Sequence, residues 1–440
     1  MGMGLGRSFN RLWLSQGLSN TADGLVSAAM PLLAVAITRD PLLIGGMTVA
    51  NFLPWLLFTL PSGELADRVD RRLIMVAGNV FRAVAFGLLV LALLAHLHSI
   101  AILYLAVFLS GAAETMVDNA ALTVPPRLVE RKDLERANGR LFAAQSAINT
   151  FVGPPVGAAL FAVSAWLVFT TGAGLFAIAA LALITLPRLL PTPSTVDNSR
   201  PTPGSIARSI RAGWSYFWNH KLLRRVAFIS ASINGFGAAT GGLIVLVATG
   251  PLGVTPAWWG VFIAVPAVGS IVGSLIASKL VRAIGGGPVT WLAALVPAAT
   301  YTAFGFSTSV VLVEIFLFCS SVATAMNQIV VSTLRQASVP DELMGRVTAA
   351  YRLIVLGVVP LGALLGGALA HWRGTSATFI AASIGLTLAA LVFASRVTTR
   401  GLREAEQAGH ATTTASSPEP DRKDSDPDEL ADAKVVTPQT

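Results

Sequence analysis

Charge is confined to narrow intervals of this sequence, and between them apolar stretches of about twenty residues recur as far as residue 397. Wound as a helix at about 1.5 Å per residue, a stretch of that length matches the ~30 Å hydrocarbon core of a bilayer. Inside a bilayer each backbone N–H and C=O must be satisfied within its own helix or within a closed barrel, and runs this long select the helix. Twelve are read, at residues 9–36, 42–62, 73–95, 100–124, 138–163, 166–187, 223–249, 257–281, 288–306, 309–334, 347–370 and 373–397. Only 12% of the 440 residues are charged and 54% are hydrophobic, against about a quarter charged in soluble domains. The expected fold is all-α, with twelve transmembrane helices.

The remaining charges have a side. Arg68, Arg71 and Arg72, then Arg127 to Arg140, Arg188 to Arg225, Lys279 and Arg282, Arg335 and Arg346, and Arg396 to Arg403 fall in alternate connections. The other connections are short and carry only Arg39 and Arg373 among Lys and Arg. Basic loops mark the cytoplasmic face, which places both termini inside. The net charge of +8 combines 28 basic and 14 acidic residues over 1–403 with an acidic end at 404–440. Such loop charges orient the chain and meet anionic lipid, so a nucleic-acid partner is not expected. The single Cys319 excludes a disulfide framework and a multi-cysteine metal site. Arg7 and Arg11 lead straight into a full-length span with no cleavable signal.

The chain divides into a six-helix bundle (1–187), a cytoplasmic linker (188–222), a second six-helix bundle (223–397) and a disordered cytoplasmic tail (398–440). Pro191, Pro193, Pro201 and Pro203 open the linker. Ile206, Ile210, Trp214, Phe217 and Trp218 then recur at helical spacing around Arg208 and Arg211, the pattern of an interfacial amphipathic helix. The halves repeat one another. Gly63 and Arg72 pair with Gly273 and Arg282, Asn119 with Asn327, Gly139-Arg140 with Gly345-Arg346, and Pro155-x-Gly157 with Pro360-x-Gly362, at offsets drifting from 210 to 205. Repeats of this kind place a substrate site between the halves, near the membrane midplane.

Charged side chains within spans are costly and face a cavity or a partner. They are Asp23, Arg82, Glu114, Asp118 and Glu314. Arg82 and Glu114 lie at similar depth in consecutive helices and are expected to pair, while Asp23 has no evident partner in its own hairpin. Glu114 and Asp118, four residues apart, share a helical face. One of the two is expected to hold a proton, as proton coupling requires. The repeat-mates of Glu114 and Asp118 are Val322 and Met326, so the chemistry gathers in the first half. Glu314 lies near the outer end of its helix and is read as facing water. Phe52, Trp55 and Phe58 form an aromatic stripe, and Trp166, Trp258, Trp259 and Trp372 are read as membrane-interface belt residues.

Gly63-Glu64-Leu65-Ala66-Asp67-Arg68-Val69-Asp70-Arg71-Arg72 holds six charges between two spans. It resembles the Gly-x-Leu-Ala-Asp-Arg-x-Gly-Arg-Arg loop of major facilitator superfamily transporters, with Asp70 in place of the usual Gly. Gly153-Pro154-Pro155-Val156-Gly157-Ala158 resembles the Gly-Pro-x-x-Gly-Gly antiporter motif of exporting facilitators, with Ala158 at the last Gly. The runs Leu134–Leu141 and Val339–Val347 narrow the resemblance to a bacterial group that includes enterobactin exporters and macrolide and tetracycline efflux proteins. That group often begins its third helix with Asp-x-x-Arg, where this chain has Asn79-x-x-Arg82.

The resemblance implies two pseudo-symmetric bundles in a bacterial plasma membrane, acting as a monomer. It also implies proton-coupled efflux of a small amphipathic compound, drug-like or siderophore-like. Within the cytoplasmic loop motif of Gly63, Asp67, Arg68, Arg71 and Arg72, Asp67 and Arg68 would latch the two halves; Gly153, Pro154 and Gly157 would form the antiporter element, and Asp23, Arg82, Glu114 and Asp118 the coupling site. The alternatives are a proton symporter for uptake of a small solute and a non-transporting sensor with a carrier fold. An enzyme is not expected, since no nucleophile pairs with a base, no metal cluster is evident, and no GxxxxGK[ST] loop serves ATP. No cofactor or metal is implied.

Overall fold

The structure, a computed structural model, describes residues 5–188, 211 and 214–401. The first half comprises α1 (Arg7–Ile37), α2 (Pro41–Arg68), α3 (Arg71–Leu94), α4 (Ile100–Leu122), α5 (Leu134–Ala147), α6 (Gly153–Val163) and α7 (Ala165–Ile184). The second comprises α8 (Lys221–Gly241), α9 (Ile244–Thr249), α10 (Pro256–Ile284), α11 (Gly286–Phe306), α12 (Val310–Ser338), α13 (Asp341–Arg373) and α14 (Thr375–Phe393). Among the described residues, ten helices are long and apolar enough to cross a membrane by themselves. The other two expected passes are broken. One runs as α5, a π-helical turn at Ile148–Val152, and α6; the other runs as α8 and α9 around Gly242 and Leu243. Pro154 explains the first break, because it offers no N–H to the turn before it and its ring crowds the carbonyl four residues back.

The charged stretch Gly63–Arg72, expected as a loop, is almost wholly helical. Gly63 to Arg68 end α2, Arg71 and Arg72 begin α3, and only Val69 and Asp70 turn the chain. Asp70 accounts for its own presence: its carboxylate accepts the Arg72 backbone N–H at 3.0 Å and caps α3. Asp40 caps α2 in the same way, accepting from Leu42 N–H at 2.9 Å. Arg72 Nη1 donates to Leu186 O at 2.8 Å, tying the turn to the end of α7.

The sequence repeat is a packing repeat. A Cβ on Gly157 would strike the Leu25 backbone of α1, and one on Gly362, its repeat-mate, would strike the Gly235 backbone of α8. Close helix crossings of this kind need glycine on the contact face. In the first half Phe86 stacks on Phe169 and Phe176, with centroids 6.1 and 5.8 Å apart. In the second, Phe304 stacks on Phe379 at 5.0 Å.

The halves meet at the end that carries the short turns. There Gly367 lies against α2, a Cβ on it falling 3.0 Å from Pro41 O. Gly260 of α10 abuts the Pro154–Pro155 backbone of α6. His371 Nδ1 lies 2.9 Å from Asp40 Oδ1. Trp259 was expected at the lipid interface, but it is 4% exposed and its Nε1–H donates to Ala28 O at 3.1 Å across the halves, while neighbouring Trp258 is 66% exposed. Toward the arginine-rich end the halves part: α6 packs along α10, whereas α5, the other portion of the same pass, makes no comparable contact with it among the described residues.

Residues 214–219 of the linker are helical. Phe217 is buried with Leu223 and Val226, Tyr216 Oη donates to Ser338 O at 2.5 Å, and Trp214 stacks on Trp218 at 5.8 Å. Ile206, Arg208 and Ile210 lie outside the described residues, as does the tail from residue 402. Residues 398–401 run against α11, where Gly287 N–H donates to Thr399 Oγ1 at 3.3 Å.

Candidate functional site

The site begins with an arginine almost wholly enclosed by protein. Arg82, on α3, is 2% exposed in the middle of the first bundle. An unpaired guanidinium there would cost several kcal/mol, so its partners decide whether the fold tolerates it. Its closest is Asp23 of α1: Nη2 donates to Oδ1 in a short contact, and Nη1 lies 3.4 Å from Oδ2. Glu114 of α4 is the second, with Oε2 3.4 Å from Nη2. Arg82 Nε donates to Ser110 Oγ at 3.2 Å and Nη1 to Ser19 Oγ at 3.4 Å, and the guanidinium lies 4.0 Å from the Phe176 ring centre. Five groups on three helices, α1, α4 and α7, hold one cation on a fourth.

Asp23 therefore has a partner, in α3 rather than in its own hairpin, and the expected Arg82–Glu114 pair is the looser of the two. The carboxylates also differ in access. The Asp23 side chain is 18% exposed and that of Glu114 is 43% exposed. Asp118, one turn further along α4, is exposed, does not line the cavity beside Glu114, and makes no ion pair with Arg82 among the described residues.

Ser19 and Ser110 were not anticipated, although a signal existed: each stands four residues before a carboxylate, Asp23 and Glu114, on the same helical face. Asn79 is buried; it donates to Met75 O at 3.0 Å and accepts from Ser19 at 3.1 Å. It thus acts as a neutral link where an acid had been the comparison. In the second half the position matching Asp23 at an offset of 210 is Ile233.

The glycine–proline motif of α6 positions this site. Gly153 lies against Gly24, a Cβ on it falling 2.5 Å from Gly24 Cα, and Gly157 lies against Leu25. Asp23 is thereby held by contacts to the residues that follow it. The π turn brings Asn149 to the same wall, and its Oδ1 is buried with no hydrogen-bond partner among the described residues. Asp23, Arg82, Glu114 and Asn149, with apolar Met30, Phe86 and Trp259, line a cavity of about 490 Å³ between the halves. That volume suits a drug-sized molecule. The turn motif Gly63–Arg72 lies away from this cavity, and the side chain of Asp67 falls outside the described residues.

Asp40 and His220 lie outside the spans, and each shifts for a physical reason. Burial works upward on Asp40, but the Leu42 N–H and the His371 ring hold its carboxyl below the usual range. Burial pushes the His220 imidazole down. Glu314 was expected to face water. Instead both its carboxylate oxygens are buried, with no hydrogen-bond partner among the described residues.

Two bundles of repeated topology, meeting at a central cavity with a buried ion cluster on one wall, define a secondary transporter scaffold. Residues 12–360 match the Major Facilitator Superfamily model, and the chain belongs to that family. Its members are transporters rather than enzymes, and this chain is a multi-pass membrane protein. Similar relatives include the enterobactin exporter EntS of Escherichia coli O1:K1 / APEC, 23% identical over 384 residues, or 87% of this chain and 89% of the relative. EntS of Shigella boydii serotype 4 (strain Sb227) is 24% identical over the same shares. Among solved structures, a mutant of the nucleoside transporter NupG matches with a TM-score of 0.69 at 12% identity, covering 90% of this chain and 100% of that one. A bacterial homologue of the lysosomal transporter Spinster, inward-facing and occupied, matches at 0.68 and 16% identity over 91% and 99%. At these identities the structures establish the fold alone.

Proposed function

We propose that this protein is a proton-coupled exporter of a small amphipathic compound, in a bacterial inner membrane with both termini cytoplasmic. The observation that carries the reading is the inequality of the two acids around Arg82. Asp23 is enclosed and closely paired, and serves to hold the cation in place. Glu114 is open to the cavity and only loosely held, so a proton or a substrate cation can take its charge without dismantling the cluster. With basic loops inside, the end at which the halves part faces the cytoplasm, and a compound entering there displaces the proton from Glu114. After the cavity turns outward, protons from the outer face return to Glu114 and release the cargo. Export, rather than uptake, is supported by the α6 motif and by the relatives named as exporters. Asp67 and Arg68 act as the cytoplasmic latch that closes when the outer end opens.

The test is reconstitution in proteoliposomes with an imposed pH gradient. Wild type should drive a cationic dye such as ethidium toward the acidic side, and a protonophore should abolish the flux. Glu114→Gln should lose gradient-driven flux and retain substrate exchange at equilibrium. Equal pH-driven flux in Glu114→Gln and wild type would refute the assignment, and dye accumulation with the proton gradient would favour the symporter. Asp67→Asn should insert normally and transport poorly; flux equal to wild type would make Asp67 a topogenic residue only.

A further inference from the structure

The linker helix at 214–219 turns its aromatic residues in two directions. Phe217 is buried with Leu223 and Val226, and Tyr216 Oη donates to Ser338 O, so this short helix is fixed to the end of the second bundle. Trp214 and Trp218 are exposed instead, and they stack on one another with planes 12° apart. Trp218 also meets Phe228 of α8 edge-on at 6.2 Å, and Phe228 stacks on Phe393, the last residue of α14, at 5.4 Å. Along α14, Ile384, Leu388 and Leu391 are exposed and share one helical face, and exposed Val392 adjoins Phe393. In a membrane-spanning helix an exposed apolar face meets acyl chains. The Phe393–Phe228–Trp218 series thus leads from the end of a lipid-facing helix to the linker.

Cations border that aromatic series. The Arg224 guanidinium lies 5.5 Å from the Trp218 ring centre, and its Nη1 donates to Trp218 O at 2.8 Å. These contacts fix the guanidinium beside the rings, and among the described residues they leave Nε and Nη2 for a ligand. Lys221 is exposed one turn earlier on α8 and makes no ion pair among the described residues. Arg211, also exposed, precedes Trp214. The sequence holds no Asp or Glu from residue 198 to 313, so neither the linker nor α8 to α11 supplies an acid to offset this charge. Cation, tryptophan and apolar face follow one another here in the order of a phospholipid's own parts, with the amphipathic rings at headgroup level. The segment 404–440, with nine acidic and three basic residues, matches only the charge and leaves the rings and the α14 face unused.

We propose that Arg224 and Lys221, with the Trp214–Trp218 platform, form a headgroup site for an anionic phospholipid whose acyl chains lie along α14. The guanidinium fork suits a phosphate, and Lys221 adds a second positive point charge. A zwitterionic lipid offers the same phosphate but brings its own cation, which the patch repels; this is the basis of selection. With basic loops inside, the lipid belongs to the cytoplasmic leaflet. Bound there, it pins the end of the linker to the second bundle at the membrane surface. The proposal goes beyond the transport reading and requires neither cargo nor gradient.

The test uses the full chain, monodisperse in nanodiscs of phosphatidylcholine with a fixed minor share of phosphatidylglycerol. One lipid or the other carries bromine on its acyl chains, and bromine quenches tryptophan on contact. The share due to Trp218 is the difference between wild type and Trp218→Phe. Brominated phosphatidylglycerol should quench that share well beyond an equal amount of brominated phosphatidylcholine. Arg224→Gln and Lys221→Gln should each lower the preference about fivefold, the usual weight of one cation near an anionic leaflet, and Arg224→Lys should restore most of it. Inorganic phosphate at constant ionic strength should displace nothing. Equal quenching by the two lipids, a preference that survives both Gln variants, or displacement by inorganic phosphate, the mark of a soluble-anion site, would each overturn the proposal. So would a Trp218 that neither lipid quenches, the result expected if the acidic segment 404–440 or a second copy of the chain covers the patch. Glu114→Gln should keep the lipid preference while losing gradient-driven flux, so this proposal and the transport reading fail separately.

Discussion

Replacing Arg82 by Met should destabilise the first bundle more than any other single change at the site. The side chain is 2% exposed and serves two carboxylates, two serines and one aromatic ring. Met fills much of the volume, so the loss is electrostatic rather than a cavity. Asp23, 18% exposed, is left as a charge without its counter-ion, while Glu114, 43% exposed, can turn to water in the cavity. The penalty therefore falls mainly on one acid, and breaking a buried pair from one side costs about 3–5 kcal/mol. Removing the stranded charge as well should repair part of it. The double variant Arg82→Met/Asp23→Asn should recover about 0.5–3 kcal/mol relative to the single one, the usual range of coupling between groups in direct contact. Glu114→Gln on the same background should recover less, because Glu114 was less enclosed. The assay is unfolding of the purified protein in mixed micelles titrated with SDS, followed by tryptophan fluorescence. The reasoning fails if Arg82→Met unfolds at the wild-type SDS fraction, or if Glu114→Gln rescues better than Asp23→Asn.

Gly157→Leu should place a side chain into the Leu25 backbone and force α1 and α6 apart, cutting folded yield and flux to below a tenth, whereas Gly174→Ala, at a position with open space, should be neutral or stabilising by up to about 1 kcal/mol; monodispersity on size exclusion distinguishes them. The Asp40–His371 bridge joins the halves at the closed end, and its carboxyl is held below the usual range, so its stabilisation is present above the ordinary Asp range and lost as pH falls through the lowered value. Both side chains are partly exposed, so Asp40→Asn should raise maleimide labelling of a cysteine placed at Ile44, which is 2% exposed, by no more than about fivefold at neutral pH. The difference from the parent bearing the same cysteine should vanish in strong acid. Trp259→Phe keeps the ring and loses the N–H bond to Ala28 O; it should weaken the same closure by about 1 kcal/mol, read as faster labelling at the same cysteine.

The sequence by itself determined the membrane class, the passes and the two-fold repeat, because these follow from one-dimensional quantities: run length against bilayer thickness, and motif spacing. It also picked out Asp23, Arg82 and Glu114, since an ion within an apolar run is visible without coordinates. Who pairs with whom was not legible. Depth along a helix predicts that Arg82 and Glu114 stand level, but the rotation of α1, held by the Gly24–Gly153 and Leu25–Gly157 crossings, decides that Asp23 faces Arg82. The Gly63–Arg72 stretch misled for a related reason. A dense run of charge reads as loop, yet at the membrane surface α2 continues through it until Asp70 caps α3. Trp259 and Glu314 were placed by their distance from a span end, which carries no information about the face they occupy. Asp118 was grouped with Glu114 by helical phase, but only the positions of α1 and α3 decide where the cavity wall ends. The place of Gly242 is tertiary throughout: a Cβ there would fall 3.3 Å from Thr48 Oγ1 of α2, and a glycine in an apolar run carries no such address until the opposite bundle packs against it.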